Sequence, residues 1–321
     1  MTFIEQLNDW GSQHKKFVFL IDFEQKKPLA WLADKCPTDF QYRFTFPGMS
    51  SLKTEFSGTT ALPQVKMAKM PVPLDTYENK FNQAIVAIQR GDSFLINLTI
   101  PTPVKQNINF DIYFNQAKSK YVVWLKNEFI SFSPETFVQI KDGKIATYPM
   151  KGTIDASLPN AKEKILNDPK EYAEHATIVD LLRNDLSKVA QHVKVKDFRF
   201  YEVIQAQDGM IGQVSSAIEG VLPNDYASKI GTILFDLLPA GSVSGAPKQK
   251  TAALIADIEG RDRGYYTGIA GCFDGVQLDS CVLIRYLGAD NMYQSGGGIT
   301  FQSELQSEYQ EMINKVYVPI F

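Results

Sequence analysis

Apolar residues fall along this chain in two rhythms. Short stretches rich in aromatic and β-branched side chains, Lys16 to Phe23 and Gln41 to Phe46, read as strands, with Pro47-Gly48 a turn. The pattern returns at Phe94 to Ile100, Tyr121 to Leu125, Phe137 to Ile140 and Ile145 to Tyr148. It returns again at Gly268 to Phe273, Ser280 to Tyr286 and Asn291 to Gln294. Elsewhere the spacing is helical. Asp75 is placed to cap a helix whose inner stripe is Phe81, Ile85 and Ile88 and which stops at Gly91. Further helices are expected over 169–186, 225–238, 247–258 and 304–317. Residues 59–75, with three prolines and no rhythm, read as a connecting loop. Antiparallel hairpins with helices laid against them describe an α+β protein. Residues 1–74 are expected to form a β-rich segment on the same core as the larger region, 75–321.

Two helices carry carboxylates where apolar residues belong. Asp168-Pro169-Lys170-Glu171 has the form of a capping box with proline at the first helical position. From there Glu171, Glu174, Ile178, Leu181 and Asp185 recur at spacings of 3, 4, 3 and 4, so they share one face. A buried carboxylate is costly unless it is paired or bound to a cation. The plainer alternative is a solvated first turn whose acids favour the positive end of the helix. The C-terminal helix repeats the theme: Ser303-Glu304-Leu305-Gln306 resembles a cap, and Glu308 and Glu311 sit three apart. Four carboxylates from two such pairs suit a hard cation of the Mg²⁺ type, whereas two acidic surface helices would need none.

Other segments add candidate chemistry. Ser295-Gly296-Gly297-Gly298 lies before the last helix and either offers backbone amides to an anion or makes a tight turn. Pro239 to Lys248 is a second Gly/Ser loop, ending where Pro247 can begin a helix. Arg285 closes an apolar strand as a carboxylate clamp or a rim salt bridge. Lys151, just after a strand, is a nucleophile if a pocket lowers its pKa and otherwise an ordinary solvated lysine.

Composition narrows the classes. Hydrophobic residues make up 44% and charged residues 21% of 321 positions, which supports a large packed core. The 33 basic and 36 acidic side chains leave a net charge of −3, so no nucleic-acid partner is expected. The longest apolar runs, such as Phe17 to Ile21, fall far short of the ~20 residues that span a bilayer. With no signal-peptide pattern at the N-terminus, a cytoplasmic location is expected. Cys36, Cys272 and Cys281 are too scattered for a disulfide frame or a zinc site. No dinucleotide or P-loop motif occurs.

Taken together, the ordered motifs resemble the chorismate-utilising enzymes, the group of anthranilate, aminodeoxychorismate, isochorismate and salicylate synthases. They are Gly91-Asp92 with Asn97-Leu98, Ser133-Pro134-Glu135, Pro149-Met150-Lys151-Gly152-Thr153, Glu171 through Asp185, Gly241 through Lys248, Arg285, and Gly296 through Glu311. The resemblance covers about Asp75 to Lys315 and makes 75–321 the chorismate-binding catalytic region. It implies mixed, largely antiparallel sheets packed as a sandwich with helices outside. It also implies Mg²⁺ at Glu171, Glu174, Glu308 and Glu311, holding the ring carboxylate of chorismate with help from the Gly297 and Gly298 amides. Arg285 and Tyr266 would bind the enolpyruvyl carboxylate, with Ser244 and Thr153 in the same pocket.

The branch of the family turns on a few positions. Lysine in the Pro149–Thr153 segment is typical of aminodeoxychorismate synthases. There it is thought to add to chorismate C2 as the C4 hydroxyl leaves, after which ammonia adding at C4 displaces it from C2. Glu135 would be the general acid, brought near Lys151 by a hairpin over Asp142-Gly143. Branches that add water use a lysine base where this chain has Leu95, which disfavours them. The implied protein is the large subunit of an aminodeoxychorismate synthase, feeding 4-aminobenzoate and folate synthesis. Its ammonia would come from a separate glutamine amidotransferase subunit or from free ammonium. Anthranilate synthase component I is the alternative within the family, and a catalytically decayed binding or regulatory subunit the alternative outside it. Three positions depart from the family pattern: Gln213 where a histidine is usual, Leu95 where a glutamine is common, and Cys272 where a tyrosine is common. The segment before residue 75 is shorter than the region that forms a tryptophan pocket in longer relatives, and no such pocket is expected.

Overall fold

The computed structural model describes residues 1–51, 66–111, 114, 117, 119–206 and 209–319. Two antiparallel sheets pack face to face. The first runs, edge to edge, through Met150–Asp155, Gly209–Val221, Lys144–Thr147, Thr136–Lys141, Leu278–Val282, Ile269–Phe273, Phe17–Ile21 and Leu29–Leu32. Gln191–Ala206 pairs with Gly209–Val221 as a long hairpin. The second sheet runs through Gly245–Ala246, Leu95–Gln106, Met292–Ile299, Tyr286–Gly288, Phe129–Ser131, Val122–Leu125 and Phe40–Arg43. The expected α+β sandwich with outer helices is therefore the architecture observed.

Side-chain alternation shows how the layers stack. In Phe17–Ile21 every residue is buried: Phe17, Phe19 and Ile21 face the helices Phe3–Ser12 and Ile230–Asp236, while Val18 and Leu20 enter the space between the sheets. Phe40, Tyr42, Phe44, Tyr121, Cys272 and Tyr286 fill that space with aromatic and sulfur-bearing side chains. On the outer face of the second sheet Ile96, Leu98 and Ile100 pack on helices Leu74–Gln89, Lys248–Glu259 and Leu305–Asn314. The N-terminal strand lies inside the first sheet, hydrogen-bonded to Ile269–Phe273.

Several elements differ from the sequence-based expectation. The helix expected to be capped by Asp75 begins at Leu74 behind Pro73, and the Asp75 carboxylate accepts from the Thr76 N–H instead. Within the expected loop, Met67–Lys69 is a short strand on Leu95–Gln106, while 59–65 lie outside the described residues. The strand expected over Ser280 to Tyr286 is two strands in two sheets, and the chain crosses between them at Arg285 with φ +52°. Lys151 lies within a strand, Met150–Asp155, rather than after one. Ser303 does not cap the last helix, because its hydroxyl donates to Glu308 Oε1. The Phe3–Ser12 helix was missed although Thr2 and Glu5 form a complete capping box. The hairpin Gln191–Val221 was missed as well.

One buried ion pair joins the outer helices to the second sheet. Glu259, at the end of Lys248–Glu259, receives Arg263 Nε at 3.1 Å and a second guanidinium nitrogen at 2.5 Å. It also accepts from Thr99 N and Oγ1, both at 2.9 Å. Both side chains are essentially inaccessible to water. Removing one partner of such a pair leaves an uncompensated buried charge, which costs about 3–5 kcal/mol. Arg263→Ala is therefore expected to lose about that much stability in urea unfolding. A change of less than about 1 kcal/mol would show that Glu259 finds other partners.

Candidate active site

The strand Met292–Ile299 is the floor of the site. It pairs along its whole length with Leu95–Gln106, and Tyr286–Gly288 covers its other edge only at Tyr293 and Gln294. Asn97 N donates to Ser244 O and Thr99 N to Glu259, so both residues turn their backbone groups away from the glycine strand. Their register partners Gly298 and Gly296 therefore direct theirs to the uncovered edge. Gly297, opposite Leu98, spends its amide in the ladder, so of the two amides expected to bind an anion only that of Gly298 is aimed outward. The glycine-rich segment is thus a strand. A side chain at Gly296 would meet Leu98 O at 2.2 Å, which explains its glycine.

Charged side chains converge on this floor from three elements. Glu171 and Glu174 come from Pro169–Leu186, a helix capped as expected by Asp168, which accepts from Lys170 N and Glu171 N. Glu308 and Glu311 come from Leu305–Asn314. Lys151 Nζ stands 3.5 Å from Glu174 Oε2. The glycines locate the rest. A Cβ at Gly152 would lie 2.7 Å from Glu171 Oε2, and one at Gly297 would lie 3.4 Å from both Glu308 Oε2 and Glu311 Oε1. One at Gly298 would lie 2.9 Å from Leu95 Cδ1 and 3.5 Å from Lys151 Nζ. Lys151, Leu95 and the four carboxylates therefore border one glycine-lined space.

The electrostatics are unbalanced there. Burial pushes the Glu171 and Glu308 carboxyls up, and their neighbours Glu174 and Glu311 push the same way. Burial acts on Glu311 too, but Lys315 overrides it and holds that carboxyl low, with Nζ 2.5 Å from Oε1. Lys315 also donates to Gly296 O at 3.0 Å. It was missed in the sequence, although its i,i+4 spacing from Glu311 was a usable signal. The oxygen donors are the hard kind that Mg²⁺ takes, and a cation would relieve the repulsion that raises Glu171 and Glu308. Among the described residues no three acidic, histidine or cysteine side chains stand as a ligand cluster, and Glu174 and Glu311 are each in contact with a lysine.

A second group of residues faces Lys151. Glu135 follows Ser133-Pro134, and its N–H donates to Ser133 Oγ. Burial pushes its carboxyl up, against the pull of the Ser242 hydroxyl, Arg285, Lys151 and Lys315. Arg285 lies against the Tyr317 ring at 5.0 Å, and its buried Nε has no hydrogen-bond partner. Such an orphan donor fits a carboxylate-binding role. Tyr266 is buried, and burial pushes its hydroxyl up to about 12, so it stays a donor. Thr267 and Arg285 both have positive φ, a cost that non-glycine residues bear where structure serves function. Ser244 is fully buried and donates to Ala240 O, whereas Ser242, which the sequence did not single out, reaches Glu135. Thr153 is exposed, in register with Gln213. Gln213 donates to Met150 Sδ and Ser215 Oγ, beside Lys151. No helix among the described residues is long and apolar enough to cross a membrane.

Comparison with known proteins places the chain in a family. A family model described as chorismate binding enzyme matches residues 11–320. An uncharacterized PabA-like protein of Haemophilus influenzae is 46% identical over 323 residues, covering 99% of this chain and 96% of its own. Aminodeoxychorismate synthase component 1 of Klebsiella aerogenes is 31% identical over 75% of this chain, which spans only 56% of that enzyme's length. The crystal structure of anthranilate synthase component I from Streptococcus pneumoniae superposes with TM-score 0.67 at 29% identity, over 79% of this chain and 59% of that one. With a match over nearly its whole length, this chain belongs to the chorismate-binding enzyme family.

Proposed function

We propose that the protein replaces the C4 hydroxyl of chorismate with ammonia, giving 4-amino-4-deoxychorismate, as the large subunit of an aminodeoxychorismate synthase does. The observation that carries this reading is Lys151, a primary amine beside the glycine floor and within electrostatic reach of the Glu135 carboxyl. Arg285 and Tyr266 bind the enolpyruvyl carboxylate, and the outward Gly298 amide helps hold the ring carboxylate. Glu171, Glu174, Glu308 and Glu311 would hold Mg²⁺, which when bound neutralises negative charge on the ring carboxylate.

The reaction then divides between two side chains. The Lys151 amine forms a bond to C2, the ring double bonds shift, and the C4–O bond breaks. Glu135 delivers its proton to the departing oxygen, which leaves as water. Ammonia next bonds to C4, the double bonds return, the C2–N bond to Lys151 breaks, and the proton shed by the new amine returns to Glu135. Leu95, the apolar neighbour of this amine, cannot activate water, so addition of water is not favoured.

The chain's own thiols do not release ammonia from glutamine. Burial pushes Cys36 to about 11, Cys272 to about 12, and Cys281 well above its usual value, where a nucleophilic thiolate is scarce. Ammonia therefore comes from free ammonium or from a separate amidotransferase subunit, and a cytoplasmic setting suits this supply. Anthranilate formation is the second reading, favoured by comparable similarity to an anthranilate synthase.

Chorismate, Mg²⁺ and ammonium at mildly alkaline pH should yield aminodeoxychorismate by mass spectrometry, with 4-aminobenzoate formed only after a lyase is added. Anthranilate instead would move the protein to the second reading, and no turnover with a glutaminase present would favour a binding or regulatory subunit. Lys151→Ala should abolish a lysine–substrate adduct along with turnover; full activity in this variant would sink the nucleophile role. Glu135→Gln should lower kcat by about 10²–10⁴-fold. Because burial raises the Glu135 carboxyl, its acid form persists to higher pH and kcat is lost as pH rises through that raised value. That alkaline limb should disappear in Glu135→Gln.

A further inference from the structure

Ser242 sits in a single 3-10 turn, Gly241–Val243, whose position is fixed from several sides. Arg263 donates to Val243 O at 2.8 Å, and Ser244 Oγ ties the turn to Ala240 O at 2.9 Å. Lys248 Nζ holds Leu237 O at 2.6 Å and the buried Asp185 carboxylate at 2.8 Å. Gly241 is tightly enclosed, since a Cβ there would lie 3.0 Å from Leu182 Cδ2 and 3.2 Å from Asp185 Oδ2. The turn therefore has little freedom, and the Ser242 hydroxyl donates to Glu135 Oε1.

We propose that Ser242 is a positioning residue for the proton transfer: by occupying Glu135 Oε1 it leaves Oε2 as the atom that carries and delivers the proton. The inference rests on the reaction proposed above. As the C4–O bond breaks, its electron pair stays with oxygen, the proton leaves Oε2, and water departs. The new carboxylate already holds a hydrogen bond on Oε1, so its charge is stabilised without reorganisation. The same bond draws the Glu135 carboxyl down against burial, which makes a buried acid a more willing donor.

The test is steady-state kinetics on Ser242→Ala and Ser242→Thr beside the wild type. Loss of one hydrogen bond to a charged group predicts a fall in kcat of about ten- to a hundred-fold for Ser242→Ala. The KM for chorismate should stay within about threefold, and the hydroxyl of Ser242→Thr should restore most of kcat. The alkaline limb of kcat should move to higher pH in Ser242→Ala. An unchanged kcat, a raised KM at unchanged kcat, or no recovery in Ser242→Thr would overturn the proposal. The identity of the wild-type product judges the underlying reaction separately. Infrared spectroscopy needs no turnover: the carboxyl band that Glu135→Gln abolishes should move to higher frequency in Ser242→Ala. An unmoved band would also overturn the proposal.

Discussion

The pairing of Glu259 with Arg263 is the constraint on which the site depends. Arg263 reaches past its partner to Asn97 O at 2.6 Å, Val243 O at 2.8 Å and Thr267 Oγ1 at 3.2 Å. One guanidinium thus ties together the strand that carries Leu95, the turn that carries Ser242, and the corner that carries Tyr266. A buried ion pair is weak evidence for net stability, because desolvation offsets most of the attraction. Its effect here is geometric. Apolar contacts can slide, whereas a bidentate pair with Thr99 on the same carboxylate has one good arrangement. Placing this charge beneath the sheet lets loops from distant parts of the chain present side chains to one space with little freedom of their own.

The glycine floor follows from the same logic. Close approach of Leu98 and Thr99 excludes a side chain at Gly296, whereas a Cβ at Gly297 would make ordinary contact with the Glu308 and Glu311 carboxylates. At Gly296 the strand therefore uses a residue of low β propensity because its neighbours leave room for nothing larger. Its uncovered edge, beyond the end of Tyr286–Gly288, is what lets the Gly296 and Gly298 backbone take part in the site.

This explains what could be read from the sequence and what could not. The helix Pro169–Leu186 was legible to the residue, because its cap, first-turn proline and carboxylate stripe are local signals. The strand cores Phe17–Ile21 and Ile269–Phe273 were legible from apolar alternation and runs. The hairpin Gln191–Val221 was not, since Lys194, Lys196 and Asp197 break the apolar pattern along its largely exposed first strand. The glycine strand reads from sequence as an anion-binding segment or a tight turn because glycine signals freedom locally, while here Gly296 marks close approach of another chain segment. The Gly/Ser loop marked Ser242 only as one hydroxyl among several, because its partner Glu135 is 107 residues away. Lys151 was legible as a weak candidate from its place after a strand, but its pairing with Glu135 only through their motifs, since no local periodicity shows that a strand and a loop will meet.

Buried carboxylates in this protein fall into two groups that the fold treats differently. Asp279 is enclosed between the sheets and accepts from Thr45 N and Oγ1, Phe46 N, Tyr121 and Gln139. Glu259 and Asp185 are met by guanidinium or ammonium groups in direct contact. These three satisfy their oxygens within the protein and join elements. Glu135 and Glu308 are instead met by neutral hydroxyls, those of Ser242 and Ser303, and burial raises the carboxyls of both and of Glu171. Burying a carboxyl without a cation in direct contact costs stability, and a fold that gives Asp185 and Glu259 such a cation could have given one here. The deficit is confined to the glycine floor and its rim, where a proton on Glu135 and a cation between the two acidic helices would remove it. The distribution of carboxyls without a direct cation, more than any single motif, marks the glycine floor and its rim as the candidate site.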